Sequence, residues 1–471
     1  MIQFGTGGWR AIIGDDFIRE NIIKVAMGVC KLMAEEKRTD KPVAIGYDRR
    51  FLSDSAAKWI AEVLAGNGIR VWFMKRSAPT PLVMFTVKNK ELYYGLEVTA
   101  SHNPAAYNGI KLFIEEGRDA PVETTSRLEQ LIGEVELDKI PLMPFDEACE
   151  KGMIEFPKFM FNDFIDSIIS RLDMSVIREK GPRILFNPMH GSGTYPLMVL
   201  LYTARCTVDL INSNKDAYFG GSMPAPGRNN LNDLVNRVVN DKYDLGIAVD
   251  GDGDRIGIID RGGTYVDANQ ILVMLYYYLH EYRGWKGPVV RNLATTHMLD
   301  AVARSFGEEC HEVPVGFKWI SSKLDETDAV LGGESSGGLT VRGHIYGKDS
   351  IYAAALFVEM ISAINKTPTE FWAELEEKYG VYRMVEDNLR FRVEDKARIN
   401  DMLMVERRVP TFHKPIAGLN YEDGFKVYFE DDSFVICRFS GTEPLLRIFA
   451  EATTEEEARR LIGTMKAFIN V

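Results

Sequence analysis

The stretch Thr99–Lys111, TASHNPAAYNGIK, puts Ser101, His102 and Lys111 on one loop directly after the strand-like run Leu92–Val98. Loops at the carboxyl ends of strands are where open α/β sheets carry their chemistry. Pro104 sharpens the turn, because a residue that precedes proline is pushed out of the helical region. Ser101 is therefore the candidate nucleophile. An isolated Ser-His-Asn-Pro would ordinarily be read as a polar turn, and a second stretch changes that balance. In LGIAVDGDGDRIGIID, Leu245–Asp260, an apolar run ends in Asp250, Asp252 and Asp254, followed by Arg255. Alternate spacing on an extended segment puts carboxylates on one side, the oxygen set a hard divalent cation takes. Gly251 and Gly253 let the backbone fold closely around an ion. A calcium loop of the EF-hand type needs glycine at its sixth position and glutamate at its twelfth; counted from Asp250 these are Arg255 and Arg261, which excludes it. Three ligands leave coordination positions that magnesium commonly fills with phosphate oxygens and water.

The 471 residues that must position these groups exceed one ordinary core and imply about three domains or more. Apolar content of 46% and charged content of 26% are those of a soluble globular protein. A net charge of −12 excludes a general nucleic-acid surface, so any anion site must be local. The cysteines, Cys30, Cys149, Cys206, Cys310 and Cys437, are scattered with no CxxC pair, which argues against zinc and disulfides and for a reducing compartment. The amino terminus lacks a signal-peptide core, and the longest apolar run, Ile271–Leu279, is too short to cross a bilayer. A cytoplasmic protein without membrane or nucleic-acid partners is expected.

Along the chain, Gly5–Arg10, GTGGWR, offers backbone amides and a guanidinium suited to a phosphate, although it is equally the pattern of a plain turn. A helix with Ile22, Val25, Ala26, Val29 and Met33 on one face follows, then a strand at Val43–Tyr47, a capped helix at Ser53–Ala65 and a strand at Ile69–Phe73. A less regular, glutamate-rich region, Glu115–Glu150, leads to a helix near Phe161–Leu172. Four segments are expected: 1–150 with the serine loop, 151–254 ending in the aspartates, 255–375, and 376–471. The third holds two glycine turns, VPVGFKW with Gly316 and Lys318 and GGESSGG with Glu334 and Ser336, where a carboxylate beside a hydroxyl would suit vicinal sugar hydroxyls. The fourth alternates strands, Asn388–Val393, Gly424–Phe429 and Ser433–Arg438, before a helix at Thr454–Phe468. Within it, RFSGTEPLLR, Arg438–Arg447, combines two arginines, two hydroxyls and a glycine, a set that suits a phosphate dianion.

In this order, TASHNP with YNGIK, DGDGDR, GESSG and RFSGTEP resemble the α-D-phosphohexomutase superfamily of phosphoglucomutases and phosphomannomutases, over essentially the whole chain. The resemblance implies three mixed-sheet α/β domains and a smaller α+β C-terminal domain around a central cleft. It implies that Ser101 bears the catalytic phosphate and that Asp250, Asp252 and Asp254, with the phosphoserine oxygen, bind Mg²⁺. Arg10, His102 and Lys111 fall at positions near the transferring phosphate. Glu334 and Ser336 match the sugar loop, and Arg438, Ser440, Gly441, Thr442 and Arg447 match the loop that grips the non-reacting phosphate. Arg255, Gly316, Lys318 and Lys348 complete the implied substrate contacts. Ser101 would give its phosphoryl group to a sugar hydroxyl, forming a hexose 1,6-bisphosphate, also the activator, which turns over and returns the other phosphate. His102 or Lys111 would move the proton, the lysine with a pKa lowered by neighbouring cations. The histidine some members carry after the sugar-loop glycine is replaced here by Gly338. GFKW around Lys318 looks more like phosphoglucomutases than phosphoglucosamine mutases, and GESSG differs from the GEQSG of the latter; glucose phosphates are favoured, with mannose phosphates the close alternative. Phosphoglucosamine mutase, a phosphatase and a non-catalytic phosphosugar-binding paralogue stand behind these. Oligomeric state is not readable from the sequence.

Overall fold

Val43–Tyr47, Val71–Phe73 and Tyr94–Val98 are short apolar runs separated by the helices Ser53–Gly66 and Thr80–Asn89, and they pair in parallel, as strands joined by crossover helices must. The computed structural model describes residues 2–5, 7–439 and 445–469, so Ser440, Gly441 and Thr442 lie outside the described residues. The chain divides into two units, Met1–Ile271 with Ser336–Thr369, and Leu272–Ser335 with Glu370–Val471. No described helix is long and apolar enough to cross a membrane.

In the first unit the parallel strands continue into Tyr107–Ile114, which runs antiparallel to Tyr94–Val98 and to Gly8–Ile12. This hairpin turns the chain back immediately after the serine loop and lays Arg10 beside Gly109. The helix Arg19–Glu35 buries Ile22, Val25, Ala26, Val29 and Met33, the face its periodicity predicts. A second sheet runs in the order Thr207–Leu210, Arg183–Asn187, Leu245–Val249, Ile256–Asp260, Tyr265–Val266, parallel across the first three and antiparallel beyond. The boundary drawn at 254 therefore falls inside a hairpin of this sheet. The runs 245–249 and 256–260 bury every residue, so both belong in one core.

In the second unit, Cys310–Val313, Val289–Asn292 and Leu331–Gly333 form a parallel sheet. The C-terminal sheet is antiparallel throughout, in the order Arg383–Arg390, Leu445–Ala452, Phe434–Phe439, Phe425–Phe429, Ile416–Asn420, with the helix Glu455–Ile469 burying Ala458, Leu461, Ile462 and Met465.

Three local expectations are corrected. Ser53 does not cap its helix: its hydroxyl donates to Asp48 Oδ1 at 2.6 Å, a stronger charged acceptor. The region expected to be irregular contains the helices Val122–Gly133 and Phe145–Glu150, the first of which buries Leu128, Leu131 and Ile132. The strand expected at 388–393 is Arg383–Arg390, set by its eight-residue pairing with Leu445–Ala452.

Gly109 has no room for a side chain, since a Cβ would lie 2.2 Å from the Trp9 carbonyl oxygen and 2.8 Å from that of Thr99. Gly109→Ala should cost about 1–3 kcal/mol by overpacking. The check is the urea unfolding midpoint, and an unchanged midpoint would contradict this packing.

Candidate active site

Ser101 stands at a left-handed turn, φ 52°, a conformation unfavourable for a serine by about 1–2 kcal/mol and therefore held by its surroundings. Its N–H donates to Thr99 Oγ1 at 2.8 Å, and the Thr99 hydroxyl donates to Asp48 Oδ2 at 2.7 Å. Arg50 does the rest. Its guanidinium donates to the carbonyl oxygens of Ser101 at 2.5 Å, Asn103 at 2.6 Å, Pro104 at 2.9 Å and Tyr107 at 3.0 Å, while Nε lies 3.2 Å from Asp48 Oδ2. Both charges are fully buried, so each depends on the other. Motif and spacing alone do not single out this pair. Its one signal is the DRR that follows Val43–Tyr47, at the carboxyl end of a parallel strand.

The three aspartates converge, with one oxygen of each within 4.8 Å of the others. They do so from a turn rather than from the extended segment expected. Asp250 Oδ1 accepts the backbone N–H groups of Asp254 at 2.9 Å and Arg255 at 3.0 Å, which curls the loop around its own first carboxylate. Asp250 Oδ2 accepts the Ser101 hydroxyl at 3.1 Å. Asp252 Oδ2 accepts Lys111 Nζ at 2.6 Å and the Thr80 hydroxyl at 2.7 Å, and Asp254 Oδ2 lies 3.0 Å from Lys111 Nζ and 3.1 Å from Lys348 Nζ. Asp252 Oδ1 and Asp254 Oδ1 are buried without a hydrogen-bond partner. Buried carboxylate oxygens are rarely left so, and with Asp250 they form the donor set that suits magnesium. Burial, reinforced by Asp252 and Asp254, pushes Asp250 well above the usual carboxylate range. Burial opposes the charge on Asp254 too, yet Lys111, Lys348 and Arg255 outweigh it and hold its pKa well down.

The surrounding cations complete the site within this unit. His102 Nδ1 lies 3.3 Å from Ser101 Oγ. Burial, then the positive fields of Arg255 and Arg10, lower its pKa to about 2, so the imidazole is neutral. Arg10 Nη1 donates to Asn103 Oδ1 at 2.5 Å, and Arg255 Nε lies 3.7 Å from Asp254 Oδ1. The expectation that cations lower the Lys111 pKa is corrected. Burial does work against its charge, but Asp252 and Asp254 prevail and hold the pKa above the ordinary lysine value. Gly338 gives Lys348 its passage, because a Cβ there would lie 2.2 Å from Lys348 Cδ. Ser336 is exposed on the turn before it.

The second unit holds the remaining candidates. Glu334 Oε1 accepts Asn292 Nδ2 at 3.2 Å and the Gly316 N–H at 3.3 Å, so the two glycine turns meet on one carboxylate. Gly316, φ 131°, starts the helix Phe317–Thr327, on which Lys318 Nζ lies 5.0 Å over the Trp319 ring. Arg438 and Arg447 face each other in register across two strands. Arg438 forks onto Asp423, a partner the sequence did not suggest, while Arg447 is half exposed, 4.0 Å from Glu386.

Arg50→Ala would leave Asp48 an uncompensated buried charge. The expected cost is about 3–5 kcal/mol in chemical denaturation, with faster amide exchange at residues 100–103. Wild-type stability and protection would show that the pair does not hold the serine turn.

Models of the phosphoglucomutase/phosphomannomutase family match the chain in series: α/β/α domain I over residues 1–139, domain II over 162–263, domain III over 267–379 and the C-terminal domain over 388–466. A phosphoglucomutase/phosphomannomutase of Thermococcus kodakarensis is 28% identical over 98% of this chain and 96% of its own. A phosphoglucosamine/phosphogalactosamine mutase of Sulfurisphaera tokodaii is 25% identical over 99% and 98%. The crystal structure of a putative phosphomannomutase from Thermus thermophilus superposes with a TM-score of 0.85 at 27% identity, covering 100% of this chain and 99% of that one. With all four domains matched in order, this chain belongs to the phosphoglucomutase/phosphomannomutase family and is a phosphohexomutase.

Proposed function

We propose that this phosphohexomutase interconverts the 1- and 6-phosphates of glucose by way of a phosphoryl group carried on Ser101 and a glucose 1,6-bisphosphate intermediate. The observation that carries the reading is the Ser101 oxygen, presented on a strained turn 3.1 Å from the first of three converging aspartates. Asp250, Asp252 and Asp254 would hold Mg²⁺, which supplies charge neutralisation on the transferring phosphoryl group when bound.

The chain's own residues do the remaining work. Ser101 Oγ gives up the phosphoryl group as a sugar hydroxyl oxygen forms its bond to phosphorus. The hydroxyl proton leaves to a base. Of the two candidates, His102 stands beside the serine oxygen as a neutral but weakly basic imidazole, whereas Lys111 is held protonated by two carboxylates and has no site for a further proton. Arg10, Arg255 and Lys348 offset the negative charge of the equatorial oxygens, the main form of catalysis such a loose transition state admits. Glu334 takes the sugar hydroxyls, and Arg438 and Arg447 hold whichever phosphate is not reacting. The bisphosphate then turns, and the second transfer restores Ser101 to its phosphorylated state.

Glucose is placed first on the GFKW sequence around Lys318, with mannose 1-phosphate next. The aminosugar glucosamine is a second reading, favoured because relatives of similar identity are named phosphoglucosamine mutases. A coupled assay with Mg²⁺ and a trace of hexose bisphosphate, run on glucose, mannose and glucosamine 1-phosphates, ranks them by kcat/KM. Ser101→Ala should lower kcat on the order of a thousandfold or more while sugar-phosphate binding persists. Undiminished turnover would remove Ser101 from its role, and net release of inorganic phosphate would mark a hydrolase instead. Chelation of the divalent metal should abolish turnover and be reversed by added Mg²⁺; turnover that survives chelation would refute the metal reading of the aspartates.

A further inference from the structure

Arg438 is not a free cation. Its Nε donates to Asp423 Oδ2 and its Nη2 to Oδ1, both at 3.0 Å, a side-on fork in a half-buried setting. Nη2 also lies 2.7 Å from Asp423 Oδ2, so the carboxylate engages the Nε–Nη2 edge of the guanidinium. Asp423 Oδ2 also accepts the backbone N–H of Val315 at 2.8 Å. Val315 directly precedes Gly316, whose N–H points to Glu334 Oε1 at 3.3 Å. One carboxylate thus touches both Arg438 and the backbone leading into the GFKW turn, whose Gly316 N–H meets Glu334. The local chain is shaped for this contact. Gly424, φ 99°, passes so close that a Cβ would lie 2.8 Å from Arg438 Cγ and 2.3 Å from the Cys437 carbonyl oxygen. Arg447 is paired directly opposite Arg438, an arrangement of like charges that is unfavourable unless a counter-charge attends it.

We infer that Asp423 is a positioning residue that tempers the charge of Arg438, so that the arginine pair grips a sugar phosphate firmly enough for transfer and loosely enough to release and regrip it. The inference rests on reading Arg438 as the hold on the non-reacting phosphate. A mutase must bind one phosphate, let it go while the bisphosphate turns, and then bind the other. Two uncompensated arginines would tighten substrate, intermediate and product alike, and uniform tightening of that kind lowers KM while slowing release. Asp423 fixes the Nε–Nη2 edge of Arg438, cancels part of its field, and anchors Val315, so that the GFKW turn keeps a constant position relative to that guanidinium.

The test is steady-state kinetics of Asp423→Asn in the Mg²⁺-loaded, phosphorylated enzyme. The amide keeps the shape of the side chain and an oxygen for the Val315 N–H and Arg438 Nε, and removes the charge together with the acceptor that Oδ1 offers Arg438 Nη2. KM for both monophosphates should fall by about three- to tenfold, with kcat falling by a comparable factor and thermal stability unchanged. Structural damage alone would raise KM. Asp423→Ser, a smaller acceptor, should move KM in the same direction and serves if the amide packs badly. KM that is unchanged or raised in both variants, at wild-type stability, overturns the inference. Arg438→Ala run alongside separates the two failures. If it leaves KM for both monophosphates unaltered, the phosphate-grip reading falls; if it raises KM while Asp423→Asn does not lower it, only the role of Asp423 falls.

Discussion

Three buried carboxylates within 4.8 Å of one another repel strongly in a low-dielectric interior, and much of the first unit is arranged around that constraint. The turn that brings them together is closed by Asp250 accepting two backbone amides. Lys111, from the strand Tyr107–Ile114, supplies the nearest positive charge, and Lys348 and Arg255 supply more. Thr80, at the start of its helix, donates both its hydroxyl and its N–H to Asp252. Two carboxylate oxygens, Asp252 Oδ1 and Asp254 Oδ1, still stand without a hydrogen-bond partner. The site is thus poised for a divalent cation, with the serine oxygen already directed at it.

A second constraint concerns the serine. Ser101 sits on a left-handed turn, where the backbone must be forced to stay. Arg50 and Asp48 provide the force. Arg50 collects four carbonyl oxygens of the turn and the strand after it, and Asp48 takes the guanidinium charge together with the hydroxyls of Ser53 and Thr99. A lysine could not replace this fork, since a single ammonium cannot reach four acceptors in a plane.

The second unit solves a related problem with a buried ionic network. Arg291 forks onto Asp300 and reaches Glu312 at 2.5 Å, and Lys426, fully buried, lies 2.6 Å from Glu312 and donates to the Leu293 carbonyl at 2.8 Å. Burial, with the field of Arg291, pushes Lys426 down to about 7. The network links the parallel sheet holding Asn292 to the antiparallel sheet holding Arg438. Such interior charges add little net stability, because their desolvation offsets most of their attraction.

The sequence by itself determined the family. TASHNP, DGDGDR and GESSG in this order carry a resemblance that the four domain matches bear out, and the apolar runs and helical periodicities located most of the elements that bear them. It determined little of what holds them in place. Arg50, Asp48 and Thr80 are ordinary polar residues in sequence, far along the chain from the groups they serve. Their roles arise only when strands from separate stretches become neighbours and bury them, because hydrogen bonds and charges gain their structural weight on losing water. The curl of the aspartate loop, the continuation of its sheet beyond residue 254 and the anionic surroundings of Lys111 were likewise decided by pairing between distant segments. Local pattern reads which face of a strand is buried. It does not read which charge waits on the other side.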